Sequence, residues 1–207
     1  MPLIIYDCQQ GSPEWIELRR GKMTASHAQQ IGNAGKGLDT YTSEIAAELF
    51  TGKTAKTYKN AAMQNGNESE YLARIAYEMK TGYTVSQIGF AQYNAYVGAS
   101  PDGLVGSDGG IEIKSRDSDD ESYSTTHLKL LLGEEKFESK YIWQCHMNMH
   151  VLDRAWWDLI SFDPSFKDKS LFIERIYRDP EMDKRLLSGY ETGEKLIKTK
   201  LEKLNRQ

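Results

Sequence analysis

The chain has 207 residues, 39% of them hydrophobic and 27% charged, with a formal net charge of −4. That is enough for one domain with a substantial core, residues 1–207, and the two cysteines, Cys8 and Cys145, exclude a disulfide framework or a four-cysteine metal cluster. No apolar run approaches the roughly 18 residues that span a bilayer and Met1-Pro2-Leu3 opens no signal peptide, so a soluble protein of a reducing cytoplasm with no membrane partner is expected.

Ser12-Pro13-Glu14 has the residue types of a helix start and leads into "EWIELRRG", where Gly21 ends the helix. Arg19, Arg20 and Lys22 form a basic cluster there. Such local clusters matter because an acidic chain cannot grip phosphates over its whole surface. Thr24 is placed to cap a short helix, "ASHAQQIG", and "GNAGKG" reads as an irregular loop before a helix around Ile45 and Leu49. Lys53, Lys56 and Lys59, with Tyr58 interleaved, form a second basic cluster. A further helix is expected from Gly66 to Lys80. From Tyr83 the texture becomes β-branched and aromatic, and "TVSQIGFAQ", "AYVGAS", "GLVG" and "GIEIKS" read as a meander of short strands. Residues 118–139 are polar and hard to assign, with a loop around "THLKLLL". Then "YIWQCHMNMHVL" reads as a helix, "RAWWDLISFD" and "LFIERIYR" as strands, and residues 180–205 as a long amphipathic helix. The expected architecture is a mixed α/β domain, a mixed central sheet flanked by helices, with its active-site core over about residues 60–165.

Two short stretches carry chemistry. "SPDG" at Ser100–Gly103 fits a plain β-turn, but "GIEIKS" follows within a few residues. Alternation puts Ile111 and Ile113 on one face of a strand and Glu112 and Lys114 on the other. A strand and a tight turn separate Asp102 from Glu112, so the two carboxylates can lie side by side. Carboxylates held close repel unless a cation sits between them, and Mg²⁺, which takes a few carboxylates and waters, fits that place. Lys114 beside it would orient or deprotonate a water, or offset charge building on a phosphate. Together these residues make a phosphodiester-cleaving site. The helix before the strands offers Glu68 and Glu70 as a further acid. Glu68 adjoins the apolar stripe Leu72, Ile75, Ala76 and Met79, whereas Glu70 shares a stripe with Gly66, Ala73 and Tyr77, whose small residues favour close approach to a sheet.

Other patterns lead nowhere. Gly52-Lys53-Thr54 lacks the earlier glycine of a P-loop, since position 47 is Ala47. His146 and His150 are four apart, but no Glu follows His146 as a helical zinc motif requires. Trp143, Trp156 and Trp157 read as core residues.

The P-D-(x)n-E-x-K arrangement resembles the signature of the restriction-endonuclease-like nucleases. With "EWIELRRGKMTAS", "NGNESEYLAR", "GASPDGL", "IEIKS" and "YIWQCHMNMHV" in that order, the chain from about Trp15 to Phe162 is similar to the phage lambda exonuclease, or YqaJ-type viral recombinase, family. The resemblance implies a restriction-endonuclease-like fold. It also implies a Mg²⁺-dependent exonuclease, with two ions and Mn²⁺ as a substitute. Such an enzyme degrades one strand of linear double-stranded DNA from its 5′ end and leaves a 3′ overhang. Asp102 and Glu112 match the family's metal ligands, the Ile113 carbonyl completes the shell, Lys114 is the catalytic lysine, and Gln144 matches a family glutamine. The register G-x-x-x-E-x-x-A-R selects Glu70. Arg19 matches the arginine that holds the terminal 5′-phosphate, helped by Ser26 in the first turn of a helix and by Lys36 where the family has a second basic residue. A ring-shaped homotrimer and a single-strand annealing partner are implied as well. An endonuclease or junction resolvase on the same fold, and a non-catalytic DNA-end-binding scaffold, are the alternatives.

Overall fold

The computed structural model describes residues 2–54, 60–115 and 123–206, and of residues 60–67 the helical backbone alone. Lys56, Tyr58 and Lys59 of the second basic cluster, and residues 118–122 of the polar segment, lie outside the described residues. The mixed α/β expectation holds, with two sheets in place of one.

The smaller sheet joins β1 (Ile4–Tyr6), β2 (Met23–Thr24), β4 (Phe90–Gln92) and β5 (Val97–Ala99) in the order β1-β4-β5-β2. The larger runs β3-β6-β7-β8-β9 through β3 (Val85–Ser86), β6 (Gly103–Val105), β7 (Gly109–Ser115), β8 (Trp156–Phe162) and β9 (Leu171–Tyr177). The expected meander therefore divides: β4 and β5 pair in one sheet, β6 and β7 in the other. Ser100, Pro101 and Asp102 form the crossing between them and not a hairpin turn. Among the described strands only the β7–β8 and β2–β5 pairs are parallel. Both faces of β8 are covered, which is why it reads as a nearly unbroken apolar run. Trp157 and Leu159 enter one core with Ile31, Leu38, Met147 and Leu186, while Ile160 and Phe162 enter a second with Ala73, Tyr77, Ile111 and Ile113.

Seven α-helices flank the sheets among the described residues. In α1 (Pro13–Arg19) the Ser12 hydroxyl accepts the Trp15 N–H, as its residue types require. Thr24 gives no side-chain cap. The chain after it makes a short 3-10 turn, Ala25–His27, before α2 (Ala28–Asn33). α3 (Lys36–Thr51) starts earlier than its glycines imply, so Lys36 is the first residue of a helix and not part of an irregular loop. α4 (Asn60–Thr81) buries Ala73 and Tyr77 and leaves Leu72, Ile75 and Met79 exposed. α5 (Thr125–Leu132) occupies the stretch expected to be a loop, capped by the Ser124 hydroxyl and closed by Gly133. α6 (Ser139–Leu152) lies under β7 and β8, and α7 (Pro180–Asn205) packs on α2 and α3. Gly189 makes the contact with α2 possible, because a Cβ there would strike the Ile31 carbonyl, and a Cβ at Gly193 would strike the Met23 sulfur of β2.

Candidate active site

The register of β6 against β7 pairs Gly103 with Ile111, which brings the preceding residue, Asp102, alongside Glu112. Asp102 Oδ2 accepts the Ile113 N–H at 2.6 Å. The strand alternation does what its sequence implies. Ile111 and Ile113 are buried against α4, while Glu112 and Lys114 face α6, Glu112 only 2% exposed. Lys114 Nζ donates to Glu112 Oε1 at 2.7 Å and to Gln144 Oε1 at 3.2 Å, and Gln144 Nε2 donates to the same Glu112 oxygen at 2.6 Å. Asn148, one helical turn beyond Gln144, donates to Glu112 Oε2 at 3.1 Å. Sequence reasoning missed Asn148. Its signal was the spacing of four from Gln144, which puts both amides on one helix face.

Glu70 reaches the site from α4 and lines, with Asp102, Asp7, Gln10 and Arg74, a cleft of about 430 Å³. Glu68 is exposed. Arg74 Nη1 stands 3.7 Å from Glu70 Oε2. Burial raises the pKa of Glu70; Arg74 opposes this, and the Glu112 charge adds to it. The Asp102 carboxyl is pushed well above the usual carboxylate range by burial, and further by Glu112 and Glu70. For Lys114 burial acts against the ammonium, but Glu112 and Asp102 outweigh it and raise its pKa, so Lys114 is held charged. The Tyr141 ring lies 4.6 Å from its Nζ. Gln10 Nε2 donates to the Pro101 carbonyl at 2.8 Å and the Ile88 carbonyl at 3.2 Å, fixing the crossing that carries Asp102. Among the described residues no three His, Cys, Asp or Glu side chains are grouped as a cation cage.

Arg19, at the end of α1, reaches the same crossing. Its guanidinium stacks over Trp15 at 4.3 Å and donates to the Ser100 hydroxyl at 3.1 Å, two residues before Asp102. Trp15 Nε1 donates to the same hydroxyl at 2.8 Å. Arg19 lines a second cleft, of about 400 Å³, with Lys22, Thr24, His27 and Tyr41. Ser26 is exposed at its rim, its hydroxyl 3.4 Å from Thr24 Oγ1, which in turn accepts from Arg19 at 3.4 Å. Lys36 is exposed at the start of α3 and does not line this cleft. His146 and His150 are buried, with His150 Nδ1 3.3 Å from Asp183. Trp143 and Trp157 are core residues, as expected, and Trp156 stacks under Arg175.

Comparison with known proteins follows the same lines. Residues 14–155 match the model of the YqaJ-like viral recombinase domain. The fold superposes on an alkaline exonuclease, LHK-Exo, from Laribacter hongkongensis, with a TM-score of 0.81 and 32% identity over 94% of this chain and 97% of that one. A second structure of that protein, in complex with dAMP, matches equally. A phage-related exonuclease from Haemophilus somnus 129PT shares the fold at a TM-score of 0.69 and 16% identity, over 88% of this chain and 96% of that one. A comparison with curated proteins returned no match. Among the described residues no helix is long and apolar enough to cross a membrane. With more than half its length inside the family model and a relative at 32% identity over nearly the whole chain, the protein belongs to the YqaJ-like viral recombinase family, the exonuclease-type recombinases.

Proposed function

We propose that the chain is a Mg²⁺-dependent exonuclease. It degrades one strand of linear duplex DNA from the 5′ end, releases 5′-mononucleotides and leaves a 3′ single strand for an annealing protein. The observation that carries this reading is the grip of Lys114 and Gln144 on Glu112 Oε1 beside Asp102, with Glu70 at the same cleft. The name borne by the Laribacter protein, an alkaline exonuclease, supports the reading.

The donor set fits a hard cation. Asp102 and Glu112 offer carboxylate oxygens and Ile113 a carbonyl, and the repulsion that raises the Asp102 pKa is what a divalent ion relieves. When bound, Mg²⁺ or Mn²⁺, as one ion or two, polarises the scissile phosphate and lowers the pKa of water. The protein's own groups do the rest. Lys114, kept charged by Glu112 and Asp102, offsets negative charge on the phosphate in the transition state. That charge makes it a poor proton acceptor. Gln144 and Asn148 hold Glu112 in one rotamer, and Arg74 steadies Glu70. Arg19, fixed by Trp15 and Ser100 with Ser26 near its rim, holds the terminal phosphate. Because Arg19 bonds Ser100, two residues before Asp102, a terminal phosphate held there would bring the next phosphodiester to the acids.

The whole chain acts as one exonuclease domain, and encircling the duplex as a homotrimer would keep an acidic protein on its substrate. The test is digestion of linear and closed circular duplexes in Mg²⁺. Loss of linear DNA with 3′ single strands accumulating, and no attack on circles, is the expected result; nicked circles would indicate an endonuclease, and no digestion a scaffold.

A further inference from the structure

The cleft beside Arg19 holds a second cation that the chemistry above does not use. Arg19 closes α1, Gly21 takes the left-handed conformation at φ 73°, and the Lys22 N–H donates back to the Arg19 carbonyl at 3.1 Å. This turn returns Lys22 to the cleft that Arg19 lines. Gly21 is constrained twice, since a Cβ would also strike the Leu49 side chain. The Lys22 carbonyl accepts the Tyr41 hydroxyl at 3.2 Å, which fixes the backbone from the α3 side.

The three cations of this cleft differ in their commitments. Arg20 is paired with Glu17 and donates to the Gly52 carbonyl at 2.7 Å. Arg19 is held against Trp15 and Ser100. Lys22 is half-buried, and among the described residues its ammonium has no hydrogen bond or ion pair. Burial lowers its pKa, with Glu17 acting in the other direction. Glu44 and Glu48 also line the cleft, but Glu48 Oε2 accepts the Gly21 N–H at 3.0 Å, which turns that oxygen to the backbone. A half-buried ammonium without a hydrogen-bonded partner gains from an anion in the cleft.

The charge of the anion follows from electrostatics. A terminal phosphate monoester carries about −1.5 to −2 at pH 7, whereas a phosphodiester within a strand carries a single charge. Arg19 alone balances the charge that both possess and separates an end poorly from a middle. We infer that Lys22 supplies the second positive charge of the Arg19 pocket and selects the phosphate monoester of a strand end over a phosphodiester. The inference rests on the exonuclease reading, which places a 5′-phosphate at Arg19.

Three duplexes that differ only at the 5′ end test it: hydroxyl, methyl phosphate with one charge, and phosphate. Binding is measured by fluorescence anisotropy in chelator, so that neither metal nor hydrolysis enters. The wild type should bind the phosphate about 10-fold or more tightly than the methyl phosphate, the range of one hydrogen bond to a charged group. Lys22→Met should bring that ratio near one and leave the ratio of methyl phosphate to hydroxyl, which reports Arg19, as in the wild type. Lys22→Arg should keep both. Equal wild-type binding of phosphate and methyl phosphate would overturn the inference. So would a wild-type ratio in Lys22→Met, or loss of both ratios together, which marks a role in folding or general binding. An intact ladder of affinities without hydrolysis in Mg²⁺ would instead overturn the nuclease reading and leave the Lys22 assignment standing.

Discussion

At Lys114 the surrounding charges decide the chemistry. Two carboxylates raise its pKa, and in the proposed role of charge stabilisation Lys114→Ala should lower turnover by about two to three orders of magnitude, roughly 3 to 4 kcal/mol. DNA binding, measured separately, should persist. Asp102 pays for the same arrangement in stability. Its folded carboxyl is raised above the unfolded value of 3.8, so ionising it opposes folding; the penalty is absent at lower pH and grows as pH rises from that value through the folded one. Asp102→Asn keeps an oxygen to accept the Ile113 N–H while removing the charge. Without divalent ions at neutral pH it should melt about 2–4 °C higher than the wild type, the shift for roughly 1 kcal/mol in a chain of this size. Its nuclease activity should be lost. Thermal melts with chelator and with Mg²⁺ check both halves, since the ion should narrow the gap. That Asp102, Glu112 and Lys114 lie together was legible because an alternating strand beside a short turn leaves few ways to arrange them, whereas Gln144 was reached only through the family resemblance. The place of Lys36 was not legible, because its distance from Arg19 depends on where α3 begins.

Elements were legible where period and caps agreed. Ser124 and Gly133 bracket "THLKLLL" with helix-ending residue types, yet the polar flanks hid them. Glycine's low helix propensity argued against a helix starting at Lys36, and packing of α3 on α7 overrides it. In α4 the apolar stripe of Leu72, Ile75 and Met79 is exposed, while Ala73 and Tyr77 meet the sheet. Small residues allow the close approach that brings Glu70 to Asp102, a choice amphipathicity alone does not reveal. The same helix is tied to β8 and β9 through Asp158, 1% exposed, which accepts the Tyr77 hydroxyl at 2.6 Å and two Arg175 bonds at 2.8 Å. Removing the guanidinium leaves a buried carboxylate without its counter-charge. Arg175→Ala should therefore destabilise by about 3 kcal/mol, more than an exposed ion pair at the surface contributes, as measured by urea unfolding.

Over the whole molecule, the alternation of helical and strand patterns announced a mixed α/β fold. The division into two sheets was hidden, because strands of two or three residues carry little information about the ladder they join. Pro101 and Asp102 have turn chemistry in either case; only the partners of β5 and β6 show that the chain is crossing between sheets. That crossing carries both Ser100, which Arg19 holds, and Asp102 two residues later. Arg19→Ala should slow digestion of 5′-phosphorylated duplex about 10- to 150-fold and barely change digestion of 5′-hydroxyl duplex. Initial rates for both substrates in one buffer give the ratio; equal slowing would assign Arg19 to general binding.

The sheet order also sets a timetable for synthesis. Every strand of the β1-β4-β5-β2 sheet precedes residue 100, whereas the apolar faces of α2 and α3 wait for α7, which ends at Asn205. At roughly 5–20 residues per second, on the order of 5 to 20 s pass between those points. During that interval Ile31, Leu38 and Ile45 lack their final cover on the nascent chain. A ribosome-stalled chain ending before α7 should therefore recruit chaperones, and one extended far enough to free Asn205 from the exit tunnel should release them.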